Sequence, residues 1–120
     1  MLLHLALNAV GLPALAVGSD PAGMPALRQL AAAGARVKIV APEISPDIKA
    51  LAVEDPEHLD CWEDDYSRHY LTPRPVVIVL MTADTALAEL VRRDAHHRGI
   101  LLVDVGSGGV GRGEGTLLGT

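Results

Sequence analysis

With 120 residues, 10 Lys+Arg against 15 Asp+Glu and a formal charge of −5, the chain has the size of one domain with its own core and is too short for two. Apolar residues make up 49% of it and are nearly all aliphatic, with Trp62, Tyr66 and Tyr70 the aromatics and no Phe, which excludes disorder and suits close helix-on-sheet packing. The acidic balance argues against nucleic acid or an anionic membrane as partner, and the lone Cys61 excludes an internal disulfide and points to a reducing cytoplasm.

Residues 1–17 are mostly apolar, but they lack a positive n-region and are interrupted by His4, Asn8 and Pro13. They read as two short strands rather than a signal peptide or a membrane span. Ala14-Leu15-Ala16-Val17, ending in Gly18, has the continuous apolar character of a strand buried on both faces. Leu27, Leu30 and Ala31 mark one face of a helix, with Gly34 as its C-cap glycine. Val37 to Ala41 is a second strand. Ser45 as N-cap and Pro46 at the first helical position open a helix whose buried stripe is Ile48, Leu51 and Ala52. The stretch 54–75 is the least regular; a short third strand is expected over His58 to Trp62, before the acidic turn Glu63-Asp64-Asp65. Val76 to Met81 is the strongest strand in the chain. Residues 84–98 predict a helix with Leu87, Leu90, Val91 and Ala95 facing the core. Arg92, Arg93, His96, His97 and Arg98 complement the negative end of its dipole before Gly99. Ile100 to Val105 reads as a fifth buried strand, followed by a flexible glycine-rich stretch, 106–115, and a short terminal strand at 116–118.

Strand–helix–strand at this spacing implies parallel strands with right-handed crossovers. The expected fold is α/β: a single Rossmann-like domain, a doubly wound parallel sheet of five strands in the order 3-2-1-4-5 with helices on both faces. Ligands on such sheets bind at the carboxyl ends where the order reverses, here between the first and fourth strands. The loops 18–24, 41–45, 82–85 and 106–111 converge there.

The first of these loops, Gly18-Ser19-Asp20-Pro21-Ala22-Gly23, stands where a G-x-G-x-x-G dinucleotide turn belongs and keeps its outer glycines. Asp20 replaces the middle one, adding bulk and a charge that repels a phosphate ~4 Å away by ~1 to 4 kcal/mol. Pro25 moves the expected helix start to its own neighbourhood, displaced from the usual phosphate position. The turn is therefore either a nicotinamide-dinucleotide site of reduced quality or a tight turn on a Rossmann scaffold. Glu43, past the second strand, can accept hydrogen bonds from an adenosine ribose or sit as a solvated loop carboxylate. Gly106-Ser107-Gly108-Gly109-Val110-Gly111 matches the glycine pattern literally, but Gly113 and Gly115 leave no helix to follow it, so the match has no phosphate-binding mechanism. His58, Asp60, Cys61, Asp64, Asp65 and His69 lack the spacing of a closed zinc site and read as a solvated acidic loop. No metal site is expected, and no Ser/His/Asp or Cys/His catalytic arrangement is present in the pattern.

The order of segments resembles a known family. Residues 5–18, LALNAVGLPALAVG, and residues 30–43, LAAAGARVKIVAPE, with Ser45-Pro46 and Leu51-Ala52, are similar to the NAD-binding domain of precorrin-2 dehydrogenases and siroheme synthases. Leu80-Met81-Thr82-Ala83-Asp84, Leu87 and the run from Arg98 to Val105 match its second half more loosely. The resemblance implies NAD-dependent oxidation of precorrin-2 to sirohydrochlorin, in many members with insertion of ferrous iron, and so a tetrapyrrole substrate. It places the cofactor at Gly18, Ser19, Asp20, Pro21, Ala22 and Gly23, then Pro42 and Glu43, with Thr82 near the nicotinamide. The family aspartate that serves catalysis and chelation falls at Gly106 or Ser107 here, with Asp104 a shifted substitute. The family's glycine triplet is Gly18-Ser19-Asp20 in this chain, and the family continues into a dimerising helical region beyond the length of this sequence. A divergent member is implied. A non-catalytic Rossmann-like module that binds a small ligand or a partner chain is the alternative, and a homodimer stays open.

Overall fold

A computed structural model describes residues 10–105. Five strands, β1 (Pro13–Gly18), β2 (Arg36–Ala41), β3 (Leu59–Glu63), β4 (Val77–Met81) and β5 (Leu101–Asp104), form one sheet in the order β3-β2-β1-β4-β5. Every pairing is parallel. The expected Rossmann-like architecture is the one observed. Among the described residues, three helices, α1 (Met24–Ala32), α2 (Pro46–Glu54) and α3 (Thr85–Arg98), and two 3-10 turns, Pro21–Gly23 and Arg68–Leu71, accompany the sheet.

Two apolar layers sandwich the sheet, because side chains alternate along each strand. Ala14, Ala16, Val37, Ile39, Val79 and Met81 pack against Leu27 and Leu30 of α1 and Ile48 and Leu51 of α2. On the other face Leu15, Val17, Val40, Ile78 and Leu80 meet Ala88, Val91 and Ala95 of α3, together with Tyr70 and Leu71. β4 is buried at all five positions, which explains its unbroken β-branched and aliphatic run.

Several local expectations change. Ser45 holds the N-cap position of α2, but its hydroxyl is buried and makes no hydrogen bond among the described residues. The helix entrance is held from outside instead: the Glu63 carboxylate accepts from the Ile44 N–H at 3.1 Å, and the Ser19 hydroxyl accepts from the Ser45 N–H at 2.5 Å. On α3, Leu90 points to solvent, and the buried positions are Ala88, Val91, Asp94 and Ala95. Asp94 takes a place in that layer because the Tyr66 hydroxyl donates to it at 2.8 Å. β5 is an edge strand among the described residues rather than a buried one; Leu101 is 52% exposed and only Val103 is buried. The helix start near Pro25 holds: α1 begins at Met24, and a separate 3-10 turn takes up Pro21. The strands expected within 1–9 and at 116–118 and the flexible stretch 106–115 lie outside the described residues. Among the described residues no helix is long and apolar enough to cross a membrane.

Candidate functional site

The strand registers bring the loops to one edge. Val17 pairs with Val40 on one side and Leu80 on the other, Gly18 with Met81, Ala41 with Glu63, and Leu80 with Asp104. Gly18, Ala41, Glu63, Met81 and Val105 therefore stand at one level, and the chain leaves the sheet from all five strands on the same side. This is the reversal point of the strand order, where the first and fourth strands send their loops to opposite faces.

Gly18 is placed there by necessity. Its φ is +106°, and a Cβ would stand 2.2 Å from the Met81 carbonyl oxygen. The missing side chain lets β1 and β4 stay paired to their last residues, and the Asp20 N–H then donates to the same carbonyl at 2.9 Å. Gly23 serves similar packing: a Cβ there would meet the Met81 sulfur at 2.2 Å. Both outer glycines of the sequence pattern are thus used to seat the turn on Met81.

Asp20 lies at the N-cap of the first 3-10 turn, and its carboxylate accepts from the Ala22 N–H at 2.9 Å. Ser19 is spent on the α2 entrance. Pro42 and Glu43 are exposed on the loop after β2. Thr82 is half-buried past β4, its hydroxyl accepting from the Asp84 N–H at 3.1 Å and so keeping its own O–H free to donate. Asp104 is ion-paired with Arg92 of α3 at the end of β5. Ser107 lies outside the described residues. The turn from Gly18 to Gly23, Pro42, Glu43 and Thr82 therefore share the carboxyl edge, with Asp104 one strand further out and bound to α3.

Glu63 was not among the candidates read from the sequence, where it stood in an acidic turn. Besides Ile44 it holds the Lys49 ammonium at 3.1 Å, and the Ile44 N–H and Lys49 together lower its carboxyl below the usual range. Its register opposite Ala41 was the available signal, visible only if the third strand ends at residue 63 rather than 62.

The acidic segment pairs internally. His58 Nδ1 lies 2.9 Å from Asp55, the Trp62 indole N–H donates to Asp60 at 2.7 Å, and the Tyr70 hydroxyl donates to Asp64 at 2.5 Å. Burial and the neighbouring Asp60 raise the Cys61 thiol. Among the described residues no group of three or more His, Cys, Asp and Glu could hold a metal ion. A groove of about 450 Å³ opens at the other end of the sheet, bordered by Pro13, Arg36, His58, Tyr70 and Pro75. It is remote from the loops at the carboxyl edge.

The residues fit a nicotinamide dinucleotide on one side only. Glu43 is an exposed acceptor past β2, suited to ribose hydroxyls. On the pyrophosphate side, the turn as it stands offers no outward donor at Ala22, because the Asp20 carboxylate occupies it.

A model of a family described as "Putative NAD(P)-binding" matches residues 5–110. No curated protein matches the sequence. Among solved structures, SirC, precorrin-2 dehydrogenase, is similar with a TM-score of 0.68 at 21% identity, over 92% of this chain and 51% of that one. The E. coli tRNA N6-threonylcarbamoyladenosine dehydratase TcdA, solved in complex with AMP, gives a TM-score of 0.60 at 16% identity, over 83% of this chain and 52% of that one. At these identities the likeness is one of fold, and this chain spans about half the length of either structure.

Proposed function

The chain belongs to the family described as "Putative NAD(P)-binding", and from that premise we propose that it binds NAD at the carboxyl edge of the sheet, as the cofactor domain of a precorrin-2 dehydrogenase-like oxidoreductase. The observation that carries this reading is the convergence of the Gly18–Gly23 turn, Glu43 and Thr82 at the reversal point of a 3-2-1-4-5 sheet. In it, Glu43 receives the adenosine ribose hydroxyls, and Thr82 stands on the nicotinamide side with a hydroxyl proton to give. The dinucleotide, when bound, supplies the hydride acceptor. No step is assigned to Asp104, whose carboxylate is held by Arg92.

NAD is preferred to NADP on charge. A carboxylate at Glu43 meets a 2′-phosphate as a like charge, whereas it accepts from a 2′-hydroxyl. The tetrapyrrole substrate, iron insertion, Ser107 in place of the family aspartate, a pair of chains and a cytoplasmic setting belong to the same proposal and rest on the resemblance. A second reading, a Rossmann-like module that binds a ligand or partner without turnover, is favoured by the Asp20 carboxylate on the Ala22 N–H.

Calorimetric titration with NAD, NADH and NADP tests the proposal. Saturable NAD binding at micromolar to sub-millimolar levels is expected, about tenfold or more tighter than NADP, equivalent to about 1.4 kcal/mol. Silence at millimolar NAD, with no thermal stabilisation, moves the choice to the second reading.

A further inference from the structure

A first βα turn binds a pyrophosphate through backbone N–H groups that point outward at the start of the following helix. In this chain those donors are committed internally. The Asp20 N–H donates to the Met81 carbonyl at 2.9 Å and the Gly23 N–H to the Asp20 carbonyl at 2.9 Å. The Ala22 N–H donates to the Asp20 carboxylate at 2.9 Å, and the Met24 N–H to the Pro21 carbonyl. Pro21 and Pro25, at the starts of the 3-10 turn and of α1, have no N–H to offer. The turn cannot slide to expose others, because Gly18 and Gly23 are packed on Met81 with no room for even a Cβ.

We infer that Asp20 is the specificity-determining residue of the nucleotide site: its carboxylate is an internal anion seated in the phosphate subsite, and a phosphate-bearing ligand binds only by displacing it. The inference rests on the nucleotide reading above and deepens it. A dinucleotide must expel one anion to seat another, so its apparent affinity is reduced by the fraction of time the subsite is open. A carboxylate seated ~90% of the time lowers that affinity about tenfold. An adenosine without phosphates uses the Glu43 side alone and meets no such competition. The site thus separates ligands by whether they carry a phosphate next to the ribose.

Calorimetric titration of the full chain, Asp20→Asn and Asp20→Gly with NAD and with adenosine tests this. Asp20→Asn keeps an acceptor for the Ala22 N–H and removes the charge; Asp20→Gly removes both. The expected result is a Kd for NAD that falls about tenfold in Asp20→Gly and less in Asp20→Asn, with adenosine changed less than about twofold. NAD binding seen only in the variants supports the inference equally. If Asp20→Gly does not melt cooperatively, Asp20→Asn carries the comparison. Equal NAD affinity in all folded proteins, with adenosine still binding, overturns the inference and leaves the nucleotide reading standing. Failure of every protein to bind either ligand overturns both.

Discussion

Gly18 and Gly23, five residues apart and both pressed on Met81, differ in what surrounds them. At Gly18 the obstacle to a Cβ is backbone, the Met81 carbonyl, and the φ of +106° is one that L side chains rarely adopt. At Gly23 the obstacle is the Met81 thioether, and no positive φ adds to it. A side chain can swing aside where a ladder cannot. Gly18→Ala should therefore cost about 2–4 kcal/mol of folding stability by urea unfolding and Gly23→Ala distinctly less; equal losses would contradict the assignment. The Tyr70–Asp64 bond supplies a pH dependence with a definite sign. Donation to Asp64 pushes the Tyr70 phenol up to about 12, and Tyr70 first, then the Asp65 N–H, lowers the Asp64 carboxyl. Tyr70 contributes stability that is present below its ordinary value of 10 and lost as pH rises from there toward about 12. Asp64 contributes stability present above its ordinary value of 3.8 and lost as pH falls through its lowered folded value. Tyr70→Phe should flatten both limbs of a stability–pH profile; an unchanged acid limb would contradict the pairing. Tyr66, also raised through burial and Asp94, keeps part of the alkaline limb.

At the scale of elements, α3 is the best defined and also the most instructive. Asp84 caps it by accepting from the Ala86 and Leu87 N–H groups at 3.0 and 3.2 Å, and Gly99 ends it in the left-handed region. Both ends were legible in the sequence, since Asp and Gly at those places have local reasons. The face was not. Leu90 is a better core residue than Asp94 by hydrophobicity, yet Leu90 is 39% exposed and Asp94 is 6% exposed. The rotation is set by Ala88, Val91 and Ala95 against the sheet, and Tyr66, 28 residues earlier, makes the exception tolerable by donating to the carboxylate. No local pattern announces such a partner. The same holds for Ser45, a good N-cap by type whose side chain caps nothing among the described residues, while Ser19 and Glu63 hold the backbone just before the helix. β5 was misjudged because a run of aliphatic residues reads alike in a central and an edge strand. Tyr66→Phe removes the donor and leaves a buried carboxylate short of a partner, at a cost of about 1–3 kcal/mol. Asp94→Asn, which can still accept from Tyr66, should cost less; thermal or urea unfolding of the two variants decides.

For the molecule as a whole, the candidate site sits on two of the most deeply buried strands of the fold. β1 and β4 each have neighbours on both sides, and residues 14–18 and 77–81 are buried throughout. Gly18 and Met81, which floor the candidate site, are the last residues of these two strands. β3 and β5 pair on one side only among the described residues, and each buries a single residue fully. The strand order was readable in advance because parallel crossovers of one hand leave few alternatives; the exposure of the outer strands was not, since it depends on what flanks them. A floor on the inner strands stays formed while the outer ones open, so ligand loops can move without unfolding the turn that seats them. Amide hydrogen exchange should show this gradient: protection approaching the global unfolding free energy at 14–18 and 77–81, and about tenfold or more lower at 59–63 and 101–104. Equal protection in all five strands would mean that the sheet opens as one cooperative body, and that the edge strands contribute as much to the rigidity of the site as the pair beneath it.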